Sequence, residues 1–368
     1  MTRRRPGLWA GAAWCTALVV LTSILNFAPS AEAQRVRYLY ERVGSTADAQ
    51  ADTAGGLVLM GGGPDVDAAF EWFKDRANGG DIVVIRADRI GGYNPYLLSE
   101  TGGVQPNSVA TIGFTRRWQD RAADVQFITD TLNNAEGIFI AGGDQSDYDR
   151  YWRGTVVEDI LNQKAADGVP IGGTSAGLAI LGSSAYVALG SSVTSGETMS
   201  NPYDNDITLE HDFLQMPYLD GVITDSHFSE RDRHGRLATF MARMLADGVE
   251  EQAIGLGIDE ETALLIDEDG LASVVSWDNG NAYFFNSGAP TDGVQAGQPL
   301  DFGPVSVTRL GVGDTFDFNE YRHTGGDTFS YTVVNGQLVS GSAVALPESG
   351  AAGAALAAGG AWMAWRRR

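Results

Sequence analysis

Short apolar runs alternate with helical patterns from Gly56 onward, and each run ends in glycine or polar residues. That alternation is the signature of a mainly parallel α/β sheet. Leu57-Val58-Leu59-Met60 reads as a buried strand ended by Gly61-Gly62-Gly63. Pro64-Asp65 then opens a helix, with Ala68, Phe70, Trp72 and Phe73 among its apolar positions, closed by Asn78-Gly79-Gly80. Ile82-Val83-Val84-Ile85 is the next strand and Val109-Ala110-Thr111-Ile112 a third, followed by a helix through about Asn133. Gly137-Ile138-Phe139-Ile140 is a fourth and Val169-Pro170-Ile171 a short fifth. Open sheets of this kind place their ligands beyond the carboxyl ends of the strands.

After about Ile254 the pattern turns to hairpins. Ala263-Leu264-Leu265-Ile266 and Ser273-Val274-Val275-Ser276 flank an Asp269-Gly270 turn. Val305-Ser306-Val307 and Phe329 to Val334 are further strand-like runs, the last followed by Asn335-Gly336. The expectation is a main α/β domain over 34–288 and a small β-rich appendage over 289–345, with no internal repeat.

Residues 1–33 read as a secretory signal. Arg3, Arg4 and Arg5 are basic, Ala10 to Leu25 is largely apolar, and Ala31-Glu32-Ala33 is a small-x-small cleavage site before Gln34. Residues 346–368 read as a sorting tail: Leu346-Pro347-Glu348-Ser349-Gly350, a weakly apolar stretch, then Arg366, Arg367 and Arg368. The tail resembles a Pro-Glu-Pro type exosortase signal, which implies a C-terminal sorting enzyme as a partner and a secreted or envelope location. Cys15 is the sole cysteine and lies inside the signal, so a chain starting at Gln34 has no disulfide, no cysteine-ligated zinc and no thiol nucleophile.

The formal charge is −22, and Lys74 and Lys164 are the only lysines. Such a surface repels nucleic acid, and that partner class is discarded.

The sharpest motif is Gly172-Gly173-Thr174-Ser175-Ala176-Gly177, which follows a strand and opens the apolar run Leu178 to Leu181. A G-x-S-x-G turn in that setting exposes the serine hydroxyl and points the next N–H, here that of Ala176, at a developing oxyanion. A helix N-terminus behind it would add a favourable dipole. The bland alternative is a glycine-rich turn with an N-cap serine, or a phosphate cradle. A serine nucleophile needs a base, and the chain has four histidines: His211, His227, His234 and His323. His227 lies at the end of the apolar strand Val222-Ile223-Thr224-Asp225 and opens a helical stretch, with His234 expected about two turns beyond it on the same helix. No carboxylate pattern makes a metal site of that pair.

Together these residues resemble the cyanophycinase family and its aspartyl dipeptidase relatives called peptidase E. The likeness is carried by Gly142-Gly143-Asp144-Gln145, the Ser175 elbow, and Asp225-Ser226-His227-Phe228 followed by Arg231, Arg233 and Arg236. Gly61 to Asp65, Gly91 to Tyr96 and Gly257-Ile258-Asp259-Glu260 are further matching blocks. The resemblance implies a doubly wound fold like that of the class I glutamine amidotransferases, with serine in place of cysteine. It also implies a Ser–His–Glu triad whose glutamate lies between elbow and histidine, so Glu197 is the expected third member and Glu210 the runner-up. Gln145 would line the substrate site and the Gly143 N–H would be a second oxyanion donor. Asp225, Ser226 and the three arginines would bind substrate, since guanidinium groups hold free carboxylates bidentately. Structural pairing of the arginines with Asp225, Asp232 or Glu230 is the competing reading. Ser226 stands where the family commonly has glutamine, and it is too short to offer an amide to an arginyl side chain.

The expected reaction is hydrolysis of peptide or isopeptide bonds at aspartyl residues through an acyl-enzyme, with no cofactor. β-Aspartyl-arginine substrates come first and α-aspartyl peptides second. An idle surface protein that uses the fold for binding is the rival class. A homodimer is left open.

Overall fold

The computed structural model describes residues 37–87 and 89–341, so the expected signal and sorting tail lie outside the described residues. In chain order its strands are Tyr38–Gly44 (β1), Gly56–Met60 (β2), Asp81–Ala87 (β3), Ser108–Phe114 (β4), Gly137–Ile140 (β5), Ile171–Thr174 (β6), Ser184–Tyr186 (β7), Leu209–His211 (β8) and Val222–Asp225 (β9). There follow Ala253–Ile258 (β10), Thr262–Asp267 (β11), Leu271–Ser276 (β12), Ala282–Ser287 (β13), Phe302–Leu310 (β14), Thr315–Asp317 (β15), Arg322–Thr324 (β16), Asp327–Val334 (β17) and Gln337–Gly341 (β18).

Among the described residues these strands form two sheets. The first runs β1-β4-β3-β5-β6-β2-β11-β12-β15-β16, and its centre, from β4 to β2, is parallel throughout. The mainly parallel α/β reading therefore holds where the motifs lie. The second runs β18-β17-β14-β13-β10-β9-β7-β8, with β7, β9 and β10 parallel.

Alternation within β2 shows how one strand serves two cores. Leu57 and Leu59 join the cluster with Val83, Ile85, Ile138 and Ile140, while Val58 and Met60 face Phe70, Phe73 and Phe139 beneath the helix Asp67–Ala77. Side chains of a strand alternate between faces, so a strand covered on both sides must be apolar at every position.

The strands after Ala289 extend both sheets. β14, β17 and β18 continue the second sheet from β13, and β15 and β16 continue the first from β12. The C-terminal β-rich region expected from the sequence is thus joined to both sheets by backbone pairing. The β11–β12 hairpin has the expected pairing, with Leu265 opposite Ser273.

Two local expectations fail. The helix after the elbow spans only Ala176–Ala179, so its dipole is small. His227 is not on the helix that carries His234: that helix is His234–Ala246, and His227 sits before it with a φ of 47°.

Candidate active site

Three side chains meet where the strand ends converge. Ser175 follows β6 directly, with φ 55° and ψ −116°, a conformation that L-residues rarely hold outside a constrained turn. His227 lies two residues beyond β9 and Glu260 two residues beyond β10. Ser175 Oγ is 2.7 Å from His227 Nε2, and His227 Nδ1 is hydrogen-bonded to Glu260 Oε1.

The turn after β2 ties these ends together. The His227 N–H donates to Gly61 O at 2.7 Å, the Ser175 N–H to Met60 O at 3.1 Å and the Glu261 N–H to Gly62 O at 2.9 Å. A Cβ on Gly62 would stand 2.4 Å from the imidazole, and the residue has a φ of +101°, so glycine is required here on both counts.

Burial lowers the pKa of His227 below the ordinary histidine value, and Arg231 adds to the lowering against the hydrogen bond that Nδ1 donates to Glu260, which raises it. The imidazole is therefore neutral near neutral pH, as a base must be. A carboxylate at Nδ1 holds the proton there and leaves Nε2 free to accept from the serine.

The carboxylate at His227 is Glu260, not Glu197. Glu197 is exposed, and its side chain accepts from the Thr194 N–H at 2.8 Å in a capping box on the helix Ser195–Ser200. Glu210 is also elsewhere, paired with Arg153. Glu260 lay in one of the matching blocks, and like Ser175 and His227 it closely follows a strand. That shared position was the available signal, and Glu197 lacks it.

The arginine cluster also divides. Arg236 is buried, with Nε 2.7 Å from Asp225 Oδ2 and Nη2 2.6 Å from Asp225 Oδ1, and it donates to Val193 O at 3.0 Å. Arg233 reaches Asp225 at 3.3 Å and Ser226 O at 2.6 Å, and its burial pushes its pKa down to about 10. Asp225, Ser226, Arg233 and Arg236 thus hydrogen-bond one another inside the protein, the arrangement that the competing structural reading expects. Buried ions persist only when paired, and this pairing uses the groups that substrate recognition would need. Arg231 differs: its side chain is 54% exposed and its Nη2 lies 3.8 Å from Glu260 Oε1.

Gln145 is half-buried and donates to Tyr186 O at 3.4 Å, opening a helix whose N-cap is Asp144. Gly142 stands against the nucleophile, a Cβ there falling 3.9 Å from Ser175 Oγ. Ala176 is the first helical residue, so its N–H has no intrahelical acceptor. The other histidines are engaged elsewhere. His211 Nδ1 lies 2.8 Å from Ser184 Oγ, His234 packs among Phe228, Tyr283 and Tyr331, and His323 Nδ1 lies 2.8 Å from Gly325 O. Among the described residues no group of His, Cys, Asp and Glu is arranged to hold a metal ion.

Comparison with known proteins finds similarity over part of the chain. Residues 115–274 match Peptidase family S51. The chain is 29% identical over 187 residues to a cyanophycinase of Trichormus variabilis, covering 50% of this chain and 55% of that protein. It is 26% identical over 235 residues to a cyanophycinase of Synechococcus elongatus, covering 60% of this chain and 65% of the relative. The chain thus spans between half and two thirds of the length of these relatives. The crystal structure of a peptidase from an acI-B1 Actinobacterium aligns with a TM-score of 0.46 at 14% identity, over 72% of this chain and 97% of that one.

Proposed function

From the match to Peptidase family S51 and the similarity to cyanophycinases, we propose that the chain is a serine-type peptidase cutting peptide or isopeptide bonds at aspartyl residues. The single observation that carries this reading is the continuous relay from Ser175 Oγ through His227 to Glu260. His227 Nε2 takes the Ser175 proton as Oγ attacks the carbonyl carbon. The N–H groups of Ala176 and Gly143 hold the oxyanion, and Glu260 stabilises the imidazolium through Nδ1. His227 then protonates the leaving amine, and water, deprotonated by the same imidazole, releases the acyl group from Ser175.

β-Aspartyl-arginine substrates lead and α-aspartyl peptides follow, because Arg231 offers an exposed guanidinium beside the triad for a substrate carboxylate. Gln145, half-buried at the head of the helix after Asp144, remains the proposed lining residue on the other side. The location proposed is secreted or envelope-bound, supported by the basic-apolar pattern of 1–33 and the arginine-ended tail of 346–368. Mass spectrometry of the native protein tests it: an N-terminus at Gln34 is expected, and recovery with Met1 intact from the cytosol contradicts it.

The activity is tested with a fluorophosphonate probe on the wild type and Ser175→Ala, followed by hydrolysis of cyanophycin, β-aspartyl and α-aspartyl dipeptides. Labelling that depends on Ser175, with turnover of at least one aspartyl substrate, is expected. No labelling and no turnover would return the chain to the class of binding proteins.

A further inference from the structure

We infer that Arg86 is a positioning residue for the oxyanion site, fixing the peptide between Gly142 and Gly143 so that the Gly143 N–H faces Ser175. This rests on the serine-peptidase reading and adds a residue which that reading does not use.

Topology sets the stage. β5 lies between β3 and β6, with Ile85 opposite Ile140 and Ile140 opposite Gly173. The turn leaving β5 therefore has Arg86, near the end of β3, on one side and Ser175, just past β6, on the other. Arg86 Nη2 donates to Gly142 O at 3.2 Å. The peptide that follows Gly142 is trans, since the cis bond found among the described residues is Gly303-Pro304. In a planar trans amide the C=O and the N–H point in opposite directions. A carbonyl drawn toward the β3 side thus aims the Gly143 N–H toward the β6 side. The distance fits as well, because a Cβ on Gly142 would lie 3.4 Å from Ser175 Cβ.

A lock is needed because a peptide flanked by two glycines rotates at little steric cost. The preceding carbonyl is already held, with Tyr148 Oη donating to Ala141 O at 2.7 Å. Arg86 holds the next one, and its charge at the oxygen polarises the amide and strengthens the N–H as a donor. Arg86 borders a cleft with Asp65, Tyr93 and Tyr96, and its buried Nε has no hydrogen-bond partner among the described residues. The guanidinium thus meets the Gly142 carbonyl and the neighbouring Asp65 charge.

The test compares wild type, Arg86→Met and Arg86→Lys as full chains on an aspartyl peptide that the wild type hydrolyses, together with affinity for a peptide aldehyde whose hemiacetal oxygen occupies the same hole. Arg86→Met should lower kcat by roughly 10²–10³-fold, the scale of losing one oxyanion donor, with KM changed by less than about threefold. Aldehyde affinity should fall in parallel, and Arg86→Lys should recover part of both. A folded Arg86→Met with kcat within about threefold of wild type, or a loss carried by KM alone, overturns the inference. If Arg86→Met does not fold, Arg86→Gln is read in the same way. A wild type that neither hydrolyses nor binds the aldehyde fails the peptidase reading instead, and this is seen before any variant is made.

Discussion

Glu260 Oε1 hydrogen-bonds Nδ1 of His227, and the backbone N–H of Glu260 is itself held by Glu230 Oε2 at 3.1 Å. The carboxylate that orients the imidazole is thus fixed from behind by a residue only three positions past the histidine. Asp259 steadies the same loop, accepting the Ser229 and Asn281 N–H groups at 3.0 Å each.

Glu260→Gln should lower kcat by about 10²–10⁴-fold, because an amide does not stabilise the imidazolium and lets the wrong tautomer form. Glu197→Gln should leave kcat within about twofold of wild type, since that side chain caps an exposed helix end. Steady-state kinetics of the two variants decides between these carboxylates; a severe loss in Glu197→Gln alone would dissolve the relay drawn here.

Gly62→Ala should abolish turnover while leaving Ser175 and the central sheet intact. The added Cβ would meet the imidazole at 2.4 Å, so the ring must leave the serine. Probe labelling and circular dichroism on the same sample separate the two effects: native spectra with lost labelling are expected, and normal labelling speaks against the geometry.

The acidic limb of kcat/KM should lie below pH 6.5, because burial lowers the pKa of His227 from that value and the base works only when neutral. Arg231 contributes to the lowering, so Arg231→Met should move the limb to higher pH and Arg231→Lys should leave it nearly in place. A limb that does not move in Arg231→Met, or moves to lower pH, would contradict this electrostatic account.

Asp225→Asn should cost stability and spare recognition. It leaves Arg233 and Arg236 buried without their counter-charge, a loss of about 3–5 kcal/mol for a buried pair deprived of one partner. Thermal unfolding should show the drop. In the temperature range where the variant is folded, the ratio of KM for a free-carboxylate substrate to that for its amide analogue should match wild type. Arg231→Lys should change that ratio, as expected of the exposed guanidinium; no change there with a large change in Asp225→Asn would reverse the assignment.

Much of the site was legible in the chain because it is encoded locally. A strand, a glycine turn and a serine lie within the six residues from Gly172 to Gly177, and His227 was distinguished among four histidines by its place at a strand end. The parallel centre of the first sheet was equally readable from its apolar runs. The glutamate was not, since 47 acidic residues compete for the role and the resemblance pointed upstream of the histidine. Glu260 is 33 residues beyond His227, and it arrives there because β10 pairs with β9 in register, Gly257 opposite Asp225. The arginines show the same limit: their spacing suggested one cluster, but the helix beginning at His234 turns Arg236 inward onto Asp225 and leaves Arg231 outside. Turn chemistry depends on neighbours along the chain and can be read from them. Which charge meets which partner depends on strand adjacency and helix rotation, and only the folded protein sets these.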